Sequence, residues 1–339
     1  MIEAPRFWWS PRAGLTAHLL QPVAGIWARK ALERMNGPAR LRAAVPVFCV
    51  GNFVVGGAGK TPTALALADL VRLFGREPGF LTRGYGGSVA GAHRVDPLRD
   101  GAALVGDEPL LLAQKGPVVV SADRPAGVPL LLAAGVDVII MDDGFQNPSL
   151  AKDFSLLVVD GAAGVGNGRV LPAGPLRAPL AAQIARAHAV LVIGAGEAGV
   201  RVGRCAAMAG VPLFRGRLAP AARSTLAGRR VLAFAGIGRP EKFFASLVEA
   251  GAEIVARETF PDHHFYSEAE AGRLIARAGR DGLTLVTTAK DRARLAGIIE
   301  GARARLAAEA MVLGVKLVLE DEARLAAMLG AVLRAPRAG

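Results

Sequence analysis

The sequence predicts an α/β protein: a parallel sheet with helices on both faces, followed by a smaller carboxyl-terminal α/β domain and preceded by an amphipathic amino-terminal helix. Three observations predict it. From about residue 45 short apolar runs alternate with helix-length segments, a glycine-rich loop joins the first run to a helix, and the first 44 residues combine tryptophan, arginine and helical apolar spacing. Strands buried on both faces read as near-continuous apolar runs, and their alternation with helices marks a parallel sheet.

The amino-terminal segment, residues 1–44, holds all three tryptophans, Trp8, Trp9 and Trp27, beside Phe7. Seven basic residues there face only Glu3 and Glu33. Leu15, Leu19, Val23, Ile26 and Trp27 recur at helical spacing on one face, and Pro22 either kinks that helix or begins it. Such a segment suits the membrane interface, with tryptophan at headgroup depth and arginine near lipid phosphate. The competing reading is a helix docked on the adjoining domain. No run reaches the roughly 18 apolar residues that span a bilayer, and the order of a secretory signal is absent, so peripheral contact is expected.

The runs Val45 to Val50, Gly79 to Thr82, Pro117 to Ser121, Val136 to Met141, Ser155 to Asp160 and Ala189 to Ile193 read as strands of the main sheet. A second series, Val231 to Ala235, Ala252 to Val255, Leu283 to Thr288 and Val312 to Leu319, reads as the smaller domain. The Pro- and Gly-bearing stretch Arg215 to Gly228 carries the boundary, which gives domains 45–222 and 223–339.

Composition narrows the function. A formal charge of +12 fits anionic partners as well as a general arginine bias, and no tract of like charge appears. With 5% aromatic residues the chain lacks stacking platforms, so nucleic-acid binding is not expected. Cys49 and Cys205 are too few for a disulfide framework or a zinc site, and a reducing compartment follows.

The sharpest motif follows the first strand: Gly51-Asn52-Phe53-Val54-Val55-Gly56-Gly57-Ala58-Gly59-Lys60-Thr61-Pro62, then a helix from about Thr63 to Phe74. Strand, glycine-rich loop and helix are what a phosphate-binding loop requires. Gly56, Gly57, Ala58, Gly59 and Pro62 frame a backbone cradle, Lys60 reaches the outer phosphates, and Thr61 suits magnesium. The first glycine of G-x-x-x-x-G-K-[ST] would fall at Val54, a departure from the pattern.

A second motif is the apolar run Val136 to Met141 ending in Asp142-Asp143-Gly144. Carboxylates at the end of a parallel strand beside a phosphate loop can bind magnesium, although Asp-Asp-Gly is also good turn chemistry. Gly106-Asp107-Glu108-Pro109 precedes the helical run Leu110 to Gln114, where Asp107 would serve as a base or as a helix cap. Pro261-Asp262-His263-His264-Phe265-Tyr266 reads locally as a polar loop. Thr287-Thr288-Ala289-Lys290-Asp291 matches the guanine-reading N/T-K-x-D pattern only loosely, so no guanine pocket is expected.

Taken together these blocks resemble tetraacyldisaccharide 4'-kinase, the lipid A 4'-kinase of Gram-negative bacteria, over nearly the whole chain. The resemblance rests also on Thr82-Arg83-Gly84-Tyr85-Gly86, Asp123-Arg124-Pro125, Asp142-Asp143-Gly144-Phe145-Gln146, Gly166-Asn167-Gly168-Arg169, Leu171 to Arg177 and Phe260-Pro261-Asp262-His263. It implies transfer of the ATP γ-phosphoryl group, with Mg2+, to the 4'-hydroxyl of a tetraacylated glucosamine disaccharide 1-phosphate. It implies a fold similar to P-loop NTPases, a membrane-associated amino-terminal helix, and work at the cytoplasmic face of the inner membrane. By the same resemblance Asp107 activates the hydroxyl paired with His263, one from each domain, and a monomer is expected. Arg83, Tyr85, Arg124 and Arg177 are the candidates for holding substrate. Asn147 and Ala289 depart from the family's usual histidine and acidic residue. The rival readings are a P-loop ATPase that drives a partner and a non-catalytic nucleotide-binding module; a module has no need of a base such as Asp107.

Overall fold

The computed structural model describes residues 4–10, 12–221 and 225–336. Glu3 and the expected boundary at 222 and 223 lie outside the described residues. Contacts divide the chain into two compact units, neither of them continuous: one built from 1–83, 121–218 and 317–339, the other from 84–120 and 219–316. Residues 84–120, expected within the first domain, are therefore grouped with the later stretch. The reason is physical: the helix Asp107–Leu112 packs on the helix Ala289–Leu295 and shares a buried ion pair with it.

The first unit is a parallel sheet of β1 (Val47–Asn52), β2 (Pro78–Thr82), β3 (Val138–Asp142), β4 (Phe154–Asp160), β5 (Ala189–Ile193) and β6 (Leu213–Pro220). Their spatial order is β6-β5-β4-β1-β3-β2, every pairing parallel. β1 through β5 are buried at every position, which is why they read as unbroken apolar runs. β1 lies between β3 and β4, so the chain leaves β1 toward one side while β4 pairs on the other. Ligands of open parallel sheets bind at that kind of reversal, beyond the carboxyl ends of the strands. Cys49, in β1, is buried and Cys205 is exposed; both are free thiols.

At the amino terminus, Pro22 stands in the first turn of the helix Gln21–Met35 and so begins it, after the short helix Leu15–Leu19. Ala17 and Ala24 face inward, whereas Leu15, Leu19, Val23 and Ile26 are 77, 72, 53 and 63% exposed. Trp8 is docked: its Nε1 donates to Pro172 O at 2.9 Å, and Asn167 N donates to Trp8 O at 2.8 Å. Features of both readings are thus present: a docked turn at Arg6–Trp9 and an exposed apolar stripe after it. No helix among the described residues is long and apolar enough to cross a membrane.

The second unit centres on a parallel sheet of β7 (Arg230–Ala235), β8 (Glu253–Thr259), β9 (Thr284–Thr288) and β10 (Met311–Leu313), ordered β8-β7-β9-β10. The two-residue period of β7 sends Val231, Ala233 and Ala235 to one core with Phe243, Phe244 and Leu247, and Leu232 and Phe234 to the other with Ala271, Leu274 and Leu306. The helix Glu268–Asp281 begins with a capping box, Ser267 and Glu270.

Candidate active site

The phosphate loop leaves β1 and enters the helix Lys60–Arg72. The helix starts three residues before the expected position, so Lys60 and Thr61 sit in its first turn with the partial positive charge of its N–H groups around them. Gly59, with φ of 92°, makes the bend, and a Cβ there would lie 2.7 Å from Ile193 Cδ1. Val54 needs no glycine because it is extended: it bridges Leu176, Val55 N donates to Pro175 O, and Arg177 N donates to Phe53 O.

Lys60 is not the exposed loop lysine that the motif alone suggests. It is buried, with Nζ 3.5 Å from Asp143 Oδ2. Asp143 is also forked by Arg177, whose Nη1 and Nη2 donate to Oδ1 and Oδ2 at 2.7 and 3.0 Å while Nε donates to Val54 O at 3.0 Å. Burial raises the affinity of Asp143 for a proton, but Lys60 and Arg177 outweigh it and hold the carboxyl well below the usual carboxylate range. Arg124, buried at the start of the helix Arg124–Leu132, donates to Ser121 O and, at 3.4 Å, to Asp143 O; its Nε has no partner among the described residues. Arg83 is exposed, and its charge is felt at Arg124.

The residues fit magnesium. Thr61 Oγ1 and Asp142 Oδ2, both buried, are 3.5 Å apart, longer than a well-formed hydroxyl bond. Two hard oxygen donors beside a phosphate loop suit a cation that keeps several waters and takes phosphate oxygens for the rest. Asp143, already neutralised by Lys60 and Arg177, fits as a neighbour of that site rather than as its main donor.

The second unit holds the other predicted pair. Asp107 opens the helix Asp107–Leu112 without acting as its cap residue, which is Gly106; its Oδ1 accepts from Glu108 N at 2.9 Å. His263 Nδ1 stands 3.4 Å from Asp107 Oδ2, and both residues belong to this one unit. The hydrogen bond to Asp107 raises the His263 imidazole above its ordinary 6.5 against the effect of burial. Burial works to raise Asp107, but the His263 bond, Lys290 and Arg294 hold it far below the carboxylate range. Tyr85 lies against His263, ring centroids 5.4 Å apart. Among the described residues only Asp143 and His263 are non-glycine with positive φ, 55° and 58°. Backbone in that sparsely populated region collects at functional sites.

His264 has different partners from its neighbour. Its Nε2 bonds Glu270 Oε2 at 3.0 Å and its ring stacks on Phe260 at 4.9 Å. Lys290 pairs with Glu108 at 2.6 Å, and Asp291 is buried, so the Thr-Thr-Ala-Lys-Asp block serves this unit's interior. Sequence reasoning missed Arg294, whose guanidinium bonds both Asp107 and Asp291. The signal available was its position three residues after Asp291, on the same helical face.

A parallel sheet with a lysine- and threonine-bearing phosphate loop after its central strand and an acidic pair at the end of the next defines a P-loop phosphotransferase. Comparison with known proteins carries this further. The family model described as Tetraacyldisaccharide-1-P 4'-kinase matches residues 16–334. The chain is 54% identical over 342 residues to a Tetraacyldisaccharide 4'-kinase of Methylobacterium sp. (strain 4-46), with 100% of both chains covered. It is 57% identical to the enzyme of that name from Methylobacterium nodulans, over 87% of this chain and 88% of that one. The crystal structure of LpxK from Aquifex aeolicus in complex with ATP is similar in fold, with a TM-score of 0.73 and 27% identity over 94% of this chain and 100% of that one. The chain belongs to the tetraacyldisaccharide-1-P 4'-kinase family.

Proposed function

We propose that this chain transfers the γ-phosphoryl group of Mg-ATP to the 4'-hydroxyl of a tetraacylated glucosamine disaccharide 1-phosphate, producing the bis-phosphorylated lipid A precursor. The observation that carries the reading is that a member of the kinase family holds both a phosphate-loop cluster, Lys60 and Thr61 with Asp142 and Asp143, and a carboxylate–histidine pair, Asp107 and His263.

In this reading the N–H groups of 56–61 receive the β- and γ-phosphates, and Lys60 exchanges Asp143 for a phosphate oxygen. Thr61 and Asp142 hold magnesium, with Asp143 beside them. When bound there the cation neutralises charge on the phosphate oxygens. A sugar hydroxyl is a poor nucleophile at neutral pH, so its proton must leave as the phosphoryl group transfers. His263, 18% exposed in its side chain against 2% for Asp107, is the outer member of the pair. Its imidazole meets the hydroxyl, and Asp107 stabilises the charge that it gains; this reverses the order of roles that the family resemblance implies. Arg83 and Arg124 hold anionic groups of the substrate, Arg177 joins them when Asp143 releases it, and Tyr85 offers a flat face to the sugar.

The exposed stripe Leu15, Leu19, Val23 and Ile26, with Trp27 and neighbouring arginines, seats the protein peripherally at the cytoplasmic face of the inner membrane, as a monomer. The decisive experiment incubates purified protein with labelled ATP, Mg2+ and acylated disaccharide 1-phosphate in detergent and resolves the products by chromatography. Label in the disaccharide is expected. Acceptor-independent ADP release without labelled lipid would refute the reading in favour of an ATPase.

A further inference from the structure

The cluster behind Asp107 holds more than a two-residue pair needs. Arg294 Nε and Nη2 both donate to Asp107 Oδ2, the former at 2.9 Å, while Nη1 donates to Asp291 Oδ1 at 2.9 Å and to Gly236 O at 2.6 Å. Asp291 is itself fixed from three more directions: Tyr266 OH and Gly236 N donate to Oδ1 at 2.8 and 2.9 Å, and Thr288 Oγ1 donates to Oδ2 at 2.6 Å. The side chains of Arg294, Asp291 and Asp107 are 1, 0 and 2% exposed. A buried ion cluster of this kind is a poor device for stability, because well-packed apolar side chains would serve as well without desolvating three charges. A planar fork that can bond two carboxylates at once has a geometric use that lysine cannot reproduce.

Building on the reading of Asp107 and His263 as the hydroxyl-activating pair, we infer that Arg294 is a positioning residue of the reaction: its guanidinium locks Oδ2 of Asp107 at the point where His263 meets it, and the Asp291, Tyr266 and Thr288 brace stops the guanidinium from turning. Asp107 is faced by Arg294, Lys290 and His263, with Glu108 next to it; His263 is faced by Asp107, Asp262, Lys290 and the Tyr85 ring. Removing the guanidinium charge strengthens the negative field at the imidazole, so His263 must then hold its proton to higher pH.

Three variants test this in the full-length protein: Arg294→Lys, which keeps the charge and loses the fork; Arg294→Gln, which loses both; and Tyr266→Phe, which releases Asp291 while keeping the ring's packing. Turnover is expected to fall about 10–100-fold in both Arg294 variants and severalfold in Tyr266→Phe, with the Michaelis constant for ATP unchanged. The His263 imidazole, followed by proton–nitrogen NMR and assigned through His263→Asn, is expected to titrate about half a unit higher or more in Arg294→Gln and near the parental value in Arg294→Lys. Wild-type turnover in a folded Arg294→Lys, or an unmoved imidazole in Arg294→Gln, overturns the inference. Should Arg294→Gln fail to fold, unchanged turnover in Arg294→Lys and Tyr266→Phe overturns it equally. Asp107→Asn separates the two levels: full activity there sinks the pair itself, whereas an inactive Asp107→Asn beside a fully active Arg294→Lys sinks only the role of Arg294.

Discussion

Replacing Asp107 and His263 by asparagine, singly and together, is the most exacting test of the site. Asparagine suits both positions for structural reasons. At 263 it tolerates the φ of 58°, where alanine would add strain, and at 107 it keeps an oxygen for Arg294 to bond. Asp107→Ala would be a poorer choice: Arg294, 1% exposed, would lose one of its two carboxylates, and breaking a buried pair costs about 3–5 kcal/mol, a large share of a usual stability of about 5–15 kcal/mol. If the pair accepts the hydroxyl proton, each asparagine variant should lower turnover by about 10²–10⁴-fold, or about 3–5 kcal/mol of barrier. Because the two act on one proton transfer, the double variant should be scarcely slower than the worse single. Initial rates at saturating ATP, with the folded fraction verified by urea unfolding, give the result. Fully multiplicative losses, or a loss confined to the Michaelis constant for ATP, would refute the pair and reduce His263 to a loop residue.

Lys60→Ala should cut transfer by at least about 10²-fold, since it removes charge from the transferring group; a rate within about threefold of the parent would sink the phosphate-loop assignment. Serine at Leu15, Leu19, Val23 and Ile26 should move protein from sedimented anionic vesicles to the supernatant without changing the urea midpoint, because these side chains are exposed in the fold; an unchanged distribution would leave only the docked-turn reading. Asp107 and Asp143 are both held below their ordinary value of 3.8, so their contribution to stability is complete above that pH and is lost as pH falls through and below it. Urea midpoints measured from pH 6 to 3 should therefore drop steeply in the parent and less steeply in Asp107→Asn; parallel curves would contradict the assigned fields.

Much of this was legible because it is local. β1 through β5 announce themselves as apolar runs, since a strand buried on both faces has no polar side to show. The run Gly59-Lys60-Thr61 at the start of a helix marks its own chemistry. What escaped is set by contacts between distant residues. Val54 stands where a glycine was expected because Leu176 gives it an extended partner, and nothing within the loop reports that. Lys60 is buried against Asp143, which the linear motif does not encode. The two-residue strand His93–Arg94 is too short for a pattern, and the grouping of 84–120 with 219–316 is a property of packing alone. Arg294 hides among similar arginines; Arg292, two positions earlier, has the same local chemistry, and only the side chains that surround Arg294 set it apart.

The 187 positions between Asp107 and Arg294 also impose an order on synthesis. At about 5–20 residues per second, the helix that starts at Asp107 leaves the ribosome about 10–40 seconds before its guanidinium partner exists. Through that interval the carboxylate cannot be buried without an uncompensated charge, so the helix Asp107–Leu112 must wait unpacked while the strands on either side of it in sequence, β2 and β3, are already free to pair. Nascent chains arrested before residue 294 should accordingly be cut by protease within 84–120, and chains extended past the last strand of the small sheet should not.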